Sequence, residues 1–231
     1  TRLVKQMKAV RARRIMITSA AADEGKTTFA ANLALMFARR GKKVMLIDLD
    51  LRHPSVGSLM EIADPEYGIE EVLEGTARLE QALYPYKDTN LILLPCRKPV
   101  SDPMKMLGGR QLDELLDKAS EIADFIFVDT PPCGMLSDAS LMARYMQGAV
   151  FVVRQDHARI PQVVSGIEIL KDTGVKMLGY VLNGVEAGIT GYGYGYGYGY
   201  GYGYGHGYGY GHRRYGYGRS YGYEEDKEKG E

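Results

Sequence analysis

The sequence has few of the side chains on which several functional classes depend. Its 231 residues include two cysteines and four histidines, and the formal net charge is zero. Cys96 and Cys133 lack the spacing of a zinc site, and isolated thiols are typical of a reducing compartment. His53 and His157 fall in predicted loops outside any catalytic arrangement, so neither is assigned to catalysis. The balanced charge gives no general reason to expect nucleic-acid binding.

Long apolar runs are also missing from the chain. No run approaches the ~20 residues that cross a bilayer, and the first residues do not follow a signal-peptide pattern. Because the chain begins at Thr1 and not at Met, we expect a piece of a longer protein. Residues 1–14 carry six basic side chains before the first acid, Asp23. This basic N-terminal segment is suited to anionic lipid, to an acidic partner or to the solvated face of a helix.

A candidate phosphate-binding loop lies close to the N-terminus. Residues 15–28 read IMITSAAADEGKTT, an apolar run that leads into a Gly-Lys-Thr turn and a helical pattern. A strand, a loop and a helix N-terminus in this order direct backbone N–H groups at an anion; the alternative is an ordinary strand–loop–helix connection. Lys26 would reach the β- and γ-phosphates, and the Thr27 hydroxyl would help to hold Mg²⁺. The predicted nucleotide-binding residues here are Ala22, Asp23, Glu24, Gly25, Lys26, Thr27 and Thr28.

Two further apolar runs end in aspartate, VMLIDLDLR at 44–52 and FIFVDTPP at 125–132. Carboxylates at the C-terminal ends of buried parallel strands lie where a nucleotide-bound metal would sit, so Asp129 is predicted to hold Mg²⁺. Asp48 and Asp50 point the same way if their strand continues through both. Alternatively, one of the two only caps the turn that follows. Arg52 is suited to a phosphate, to an acidic partner or to a surface ion pair.

The chain alternates predicted strands and helices between residues 15 and 187. Strands that are apolar on both faces, with helices between them, predict an α/β fold with a mostly parallel sheet covered on both faces. The crossover rule then brings the phosphate loop and both aspartate motifs to one edge of the sheet. Predicted helices cover 27–40, 56–62, 68–73, 103–119, 138–146 and 162–173, and predicted strands after the first cover 43–48, 91–94, 125–129, 149–154 and 176–183.

Residues 188–231 form a compositionally separate tail. Thirteen of the eighteen tyrosines lie there, mostly alternating with glycine. Alternating glycine opposes a stable helix and no apolar set can close a core, so we expect disorder, or β-type association if the tail is extended. Beside a domain with a candidate phosphate-binding loop, the tail is interpreted as an array of phosphate acceptors, or else as an inert sticky linker. The candidate acceptors are Tyr192, Tyr194, Tyr196, Tyr198, Tyr200, Tyr202, Tyr204, Tyr208, Tyr210, Tyr215, Tyr217, Tyr221 and Tyr223.

The three motifs and the tail resemble those of bacterial tyrosine kinases, which are P-loop NTPases of capsule and exopolysaccharide production. The matching patterns are S-x-x-x-x-E-G-K-T-T from Ser19, D-x-D-x-R from Asp48 and D-T-P-P from Asp129. Shorter matches lie at 95–107, 137–139, 152–154 and 179–185. The family usually has Pro-Gly where this chain has Ala22-Asp23. Since aspartate enters the left-handed region at modest cost, Asp23 is expected to keep the loop's shape with its charge turned away from the phosphates.

The resemblance implies an enzyme that uses ATP and Mg²⁺ to autophosphorylate its tail between subunits and so regulates exopolysaccharide or capsule synthesis and export. It implies that Asp48 orients or deprotonates the tyrosine hydroxyl, that Asp50 supports the metal and that Asn183 reads the adenine edge, unless Asn183 only forms a turn. It further implies a ring-like homo-oligomer, a membrane-embedded adaptor of the polysaccharide co-polymerase type and a tyrosine phosphatase. The expected location is cytoplasmic, at the inner face of the plasma membrane, through the adaptor or an upstream transmembrane segment. The family's ring-contact motif is absent from this chain.

Two other functions fit parts of the pattern. One is an ATPase switch of the ParA/MinD type, but that family has a second lysine where this chain has Ala21. The other is a non-catalytic assembly module that binds nucleotide as a structural switch.

Overall fold

The structure, a computed structural model, describes residues 2–133 and 137–185. The predicted tail and all its candidate acceptor tyrosines lie outside the described residues. Within them, seven strands form one sheet: β1 (Arg14–Ser19), β2 (Val44–Asp48), β3 (Tyr84–Pro85), β4 (Leu91–Leu94), β5 (Phe125–Asp129), β6 (Gly148–Arg154) and β7 (Lys176–Asn183). The strand order is β3-β4-β2-β5-β1-β6-β7, and every pairing except β3 with β4 is parallel.

Helices cover both faces of the sheet, which confirms the predicted α/β architecture. They are α1 (Arg2–Ala9), α2 (Lys26–Arg39), α3 (Val56–Leu59), α4 (Ile69–Glu74), α5 (Pro103–Leu107), α6 (Arg110–Ile122), α7 (Ser137–Ala143) and α8 (Ile160–Asp172), with a 3₁₀ turn at Leu79–Ala82. Alternate side chains of β1 enter different cores. Ile15 and Ile17 pack with α1, α2 and α3, whereas Met16 packs with α4 to α8. Burial on both faces is why the strands read as continuous apolar runs.

The predicted helix over 103–119 is wrong in one respect. The chain forms α5 and α6, separated by Gly108 and Gly109. Asp102 caps α5 by accepting the Lys105 N–H, and two consecutive glycines disfavour helix continuation because they lose the most backbone entropy. The short antiparallel β3 and the 3₁₀ turn were not predicted.

The basic N-terminal segment begins with a helix that packs on the domain. Met7 of α1 and Ala12 are buried, while Lys5, Lys8 and Arg11 are exposed. Arg13 donates to the carbonyl groups of three residues at the end of α6 and just after it, namely Ser120, Ala123 and Asp124. The exposed basic face fits the solvated-helix interpretation, and no contact tests the alternatives. Among the described helices, none is both long and apolar enough to cross a membrane.

Candidate active site

Three strand ends bring the predicted motifs together. Asp48 at the end of β2 is the register partner of Asp129 at the end of β5, and Asp129 also pairs with Ile17 of β1 just before the phosphate loop. The prediction that these motifs share one edge of the sheet is confirmed. A cavity of about 990 Å³ opens at this edge, and its lining includes Lys26, Thr27 and Asp50.

The phosphate loop has the backbone shape expected of an anion site. Asp23 adopts φ 57° and Gly25 adopts φ 85°, so two left-handed residues flank Glu24. Successive N–H groups in such a pattern form a concave anion-binding nest. The expectation that Asp23 enters the left-handed region is confirmed. Asp23 is exposed and is one of the residues that line the cavity, and the expected direction of its charge stays a prediction.

Thr27 and Asp129 form a direct pair beneath the loop. The Thr27 hydroxyl donates to Asp129 Oδ2 at 2.5 Å and lies 2.9 Å from the Ser55 hydroxyl. Asp129 is fully buried, and its Oδ1 is the one buried side-chain oxygen or nitrogen of the described residues without a hydrogen-bond partner. Burial raises the pKa of Asp129 to about 7, although Thr27 and Lys26 act in the opposite direction.

This arrangement fits Mg²⁺. An unpaired buried carboxylate oxygen is costly unless something compensates it, and a divalent cation would do so. Magnesium usually takes one or two carboxylates, a hydroxyl and substrate phosphates instead of a complete protein cage. Within residues 2–133 and 137–185, no cluster of three or more His, Cys, Asp or Glu side chains suited to a metal occurs.

Asp48 and Asp50 have different surroundings, because β2 ends at Asp48 and does not continue through Asp50. Asp48 is fully buried; its Oδ1 accepts the Asp50 N–H at 3.2 Å, and its Oδ2 accepts those of Ser55 and Val56 at 2.9 Å. Burial, reinforced by the nearby Asp129, raises the pKa of Asp48. Asp50 accepts the His53 N–H at 3.1 Å and lines the cavity. Burial also raises the pKa of Asp50, while Lys26 lowers it. Thus it is Asp50 that reaches the cavity.

Arg52 and the cysteines have structural partners. Arg52 forms a two-point pair with the buried Asp138 of α7, at 2.6 and 3.3 Å. The Arg52–Asp138 pair is an intramolecular contact, whereas the predicted alternatives were a phosphate and an acidic partner.

Cys133 is buried with its Sγ near the carbonyls of Ser19 and Gly166, at 3.3 and 3.4 Å. Burial raises the pKa of Cys133 to about 11 and raises the pKa of Cys96 as well. Both cysteines belong to the hydrophobic core on one face of the sheet.

Sequence reasoning missed two side chains, Arg154 and His157, that contact carbonyl groups of the phosphate loop. His157 Nε2 lies 2.8 Å from the Ala22 carbonyl, and Arg154 Nη1 donates to the Asp23 carbonyl at 3.1 Å. Asn183 Nδ2 donates to the Glu24 carbonyl at 3.0 Å. The Glu24 carboxylate, fully buried, accepts the N–H groups of Ala21 and Arg154 at 2.8 and 3.3 Å. The one available signal was that β6 and β7 end at the same edge as β1.

The fold and this loop define the class of protein. A family model described as "ParA: NUBPL iron-transfer P-loop NTPase" matches residues 11–187, so the chain is a ParA-type P-loop NTPase. Tyrosine-protein kinase YwqD of Bacillus subtilis is 35% identical over 180 residues, which cover 78% of this chain and 73% of that protein. Within the P-loop NTPases, the chain therefore belongs to the bacterial tyrosine-protein kinases.

Solved structures agree with this assignment. The kinase domain of Escherichia coli tyrosine kinase ETK superposes with a TM-score of 0.76 at 29% identity, covering 85% of this chain and 77% of that chain. The septum site-determining protein MinD of Pyrococcus horikoshii, solved with Mg-ADP, has a TM-score of 0.65 at 28% identity and covers 74% and 69%. The MinD-type switch shares this fold, whereas the kinase relatives share the function.

Proposed function

We propose that this kinase transfers the γ-phosphoryl group of ATP to tyrosines in the tail of a neighbouring copy. The observation that carries the proposal is the meeting of Lys26, Thr27 and Asp50 at one cavity, with the buried Asp129 bonded to Thr27 and keeping one oxygen unpaired. Kinship with tyrosine-protein kinases supplies the reaction class. Thirteen tyrosines in the tail supply acceptors.

The loop would bind the phosphates of the nucleotide, and residues at the strand ends would bind its metal ion. Backbone N–H groups of residues 22–28 cradle the phosphates, and Lys26 neutralises charge on the β- and γ-oxygens. Thr27 and Asp129 would hold Mg²⁺, which when bound offsets the charge that develops during transfer. Asp50 lines the cavity and would support the metal, as predicted, or face the acceptor.

The acceptor side requires a revised assignment for the two aspartates. Asp48 is fully buried and both of its oxygens accept backbone N–H groups, so we assign it to holding residues 50–56 in place. Asp50, on the cavity wall, is then the carboxylate that orients the tyrosine hydroxyl and takes its proton. The phenolic oxygen bonds to the γ-phosphorus while the bond to the bridging oxygen breaks, and ADP leaves.

Mixing two variants of this chain tests transfer between copies. One carries Lys26→Met and keeps its tail tyrosines; the other keeps Lys26 but has all thirteen tail tyrosines replaced by Phe. Neither should be labelled strongly alone, whereas the mixture with Mg·ATP should gain phosphotyrosine on the Lys26→Met chain. Mass spectrometry locates the phosphate. An unlabelled mixture beside an active wild-type chain would restrict transfer to the same molecule.

The assignments of oligomer, adaptor, process and location follow from membership of the bacterial tyrosine-protein kinases. We propose that the kinase works as a homo-oligomer beside a membrane adaptor and regulates exopolysaccharide or capsule export, at the inner face of the plasma membrane. Each phosphotyrosine adds about −1.5 to −2 charges, so a modified tail should repel its neighbours. Light scattering before and after phosphatase treatment should show a larger mass for the dephosphorylated protein, most clearly at low salt. An unchanged mass would contradict this charge switch.

A further inference from the structure

Three consecutive carbonyl groups of the phosphate loop receive hydrogen bonds from outside the loop. The donors are His157 Nε2 to Ala22, Arg154 Nη1 to Asp23 and Asn183 Nδ2 to Glu24, at 2.8, 3.1 and 3.0 Å. A carbonyl can only accept, so Nε2 of His157 carries the proton. Of these three side chains, Arg154 lines the cavity and the other two do not.

The donors are fixed by the sheet. Arg154 and Asn183 are the last residues of β6 and β7 and are register partners, and the Gln155 N–H donates to the Asn183 carbonyl at 2.9 Å. His157 follows three residues after Arg154. Arg154 and Asn183 therefore stand on paired strand ends, and β6 lies next to β1, which delivers the loop. A Cβ on Gly25 would lie 2.2 Å from Asn183 Nδ2, which shows how closely Asn183 approaches the loop.

Fixed carbonyls would help the loop because Asp23 has a left-handed backbone. Asp23 holds φ 57°, a conformation that aspartate enters at modest cost but that still favours glycine. Each peptide unit is planar, so a carbonyl held by one of these donors turns the N–H of the next residue to the opposite side. Contacts at residues 22, 23 and 24 therefore turn the N–H groups of residues 23, 24 and 25 away from the three donors.

We propose that Arg154, His157 and Asn183 are positioning residues, a carbonyl clamp that holds the loop in its phosphate-binding shape before nucleotide arrives. The clamp takes the place of the rigid Pro-Gly that the resembling kinases have at Ala22-Asp23. In the clamp, Asn183 binds the loop and is not assigned to the adenine edge. The proposal rests on nucleotide binding at this loop, as proposed above.

Matched variants of the full chain separate the clamp from direct contact. His157→Leu removes the donor, and His157→Gln keeps an N–H donor on a flexible side chain. Asn183→Leu removes the second donor at similar size, and Arg159→Ala removes a positive charge from the same connection as a control. Calorimetry with Mg·ADP, Mg·GDP and inorganic tripolyphosphate measures binding, and hydrogen exchange of residues 22–26 without nucleotide measures the loop itself.

The clamp predicts that each Leu variant binds all three ligands about fivefold more weakly, as expected for one lost hydrogen bond. Exchange of the loop amides should rise in both, His157→Gln should recover most of the loss, and Arg159→Ala should match wild type. Weaker binding of Mg·ADP alone in Asn183→Leu would restore the adenine function and overturn the clamp. Unchanged affinity and exchange in both Leu variants would overturn it too. A wild-type chain that binds no nucleotide would instead contradict the proposed function, while loop exchange would still test the clamp.

Discussion

Asp48 and Asp129 lie side by side at the ends of adjacent strands, both fully buried, yet they have opposite surroundings. The two oxygens of Asp48 accept three backbone N–H groups, so its loop is anchored from within. Asp129 pairs through Oδ2 with Thr27 and leaves Oδ1 unpaired. The Asp48 carboxylate, which is bonded to backbone N–H groups, holds the loop of the site in place. The Asp129 carboxylate, which keeps one unpaired oxygen, is available to a ligand.

The largest expected effect follows from removing Lys26, whose positive charge lies near Asp129. Lys26→Met should reduce tail phosphorylation by about a hundredfold or more, since it removes charge stabilisation of the transferring group. Phosphotyrosine measured by mass spectrometry after incubation with Mg·ATP checks this. Lys42→Met, which removes an exposed lysine, is the matched control and should remain active. Undiminished phosphorylation in Lys26→Met would exclude this loop as the kinase site.

The second effect tests Asp129 and its unpaired oxygen. Asp129→Asn should weaken Mg²⁺-dependent ADP binding roughly ten- to a hundredfold, because the amide supplies neither the charge nor a second acceptor. The same change should raise the melting temperature without nucleotide, since a buried charge is removed. Calorimetry and thermal melts measure the two effects. Equal ADP affinity with and without Mg²⁺ in wild type would remove the metal assignment.

Replacement of Asp48 should change stability in the opposite direction to replacement of Asp129. Asp48→Asn turns an NH₂ group towards backbone donors, so we expect a loss of about 1–3 kcal/mol in unfolding free energy. Mg·ADP affinity should change less than in Asp129→Asn, and turnover should fall because the loop that carries Asp50 moves. Urea denaturation and calorimetry on the two variants provide the comparison. Equal loss of Mg²⁺ binding in both would show that the two aspartates share one function.

The smallest effect is a pH dependence of the nucleotide-free protein. The pKa of Asp129 is raised to about 7, so its neutral form suits the fold. The stability it contributes is complete below the ordinary carboxyl pKa near 4 and is lost as the pH rises through about 7. Wild type should therefore lose stability relative to Asp129→Asn between pH 5 and pH 8, in melts without Mg²⁺. Parallel curves for both proteins would contradict this pKa.

Much of the fold could be predicted because the strands are apolar runs with polar ends. The bounds of β4, β5 and β7 agree with the sequence, and so does the left-handed Asp23. The split between α5 and α6 was missed because a continuous apolar pattern outweighed Gly108 and Gly109. Periodicity reports which face is buried but only weakly where a helix breaks.

The site was predicted less completely, for a physical reason. Lys26 and Thr27 belong to one local motif and Asp129 to another, and each motif is visible in the sequence. The difference between Asp48 and Asp50 depends on where β2 ends, and a period-two argument holds only within a strand. Arg154 and His157 contact the loop across more than 130 residues, because β6 lies beside β1. Such a contact has no local signature.

Burial of both thiols has a practical consequence for labelling. The protein has two cysteines in all, and Cys96 and Cys133 are both buried with raised pKa values, so maleimide reagents should react with them slowly. A single cysteine introduced at Leu59, which is 43% exposed and lines the cavity, would then be the preferred attachment point. A fluorophore there would report nucleotide entry in real time without removing either native cysteine.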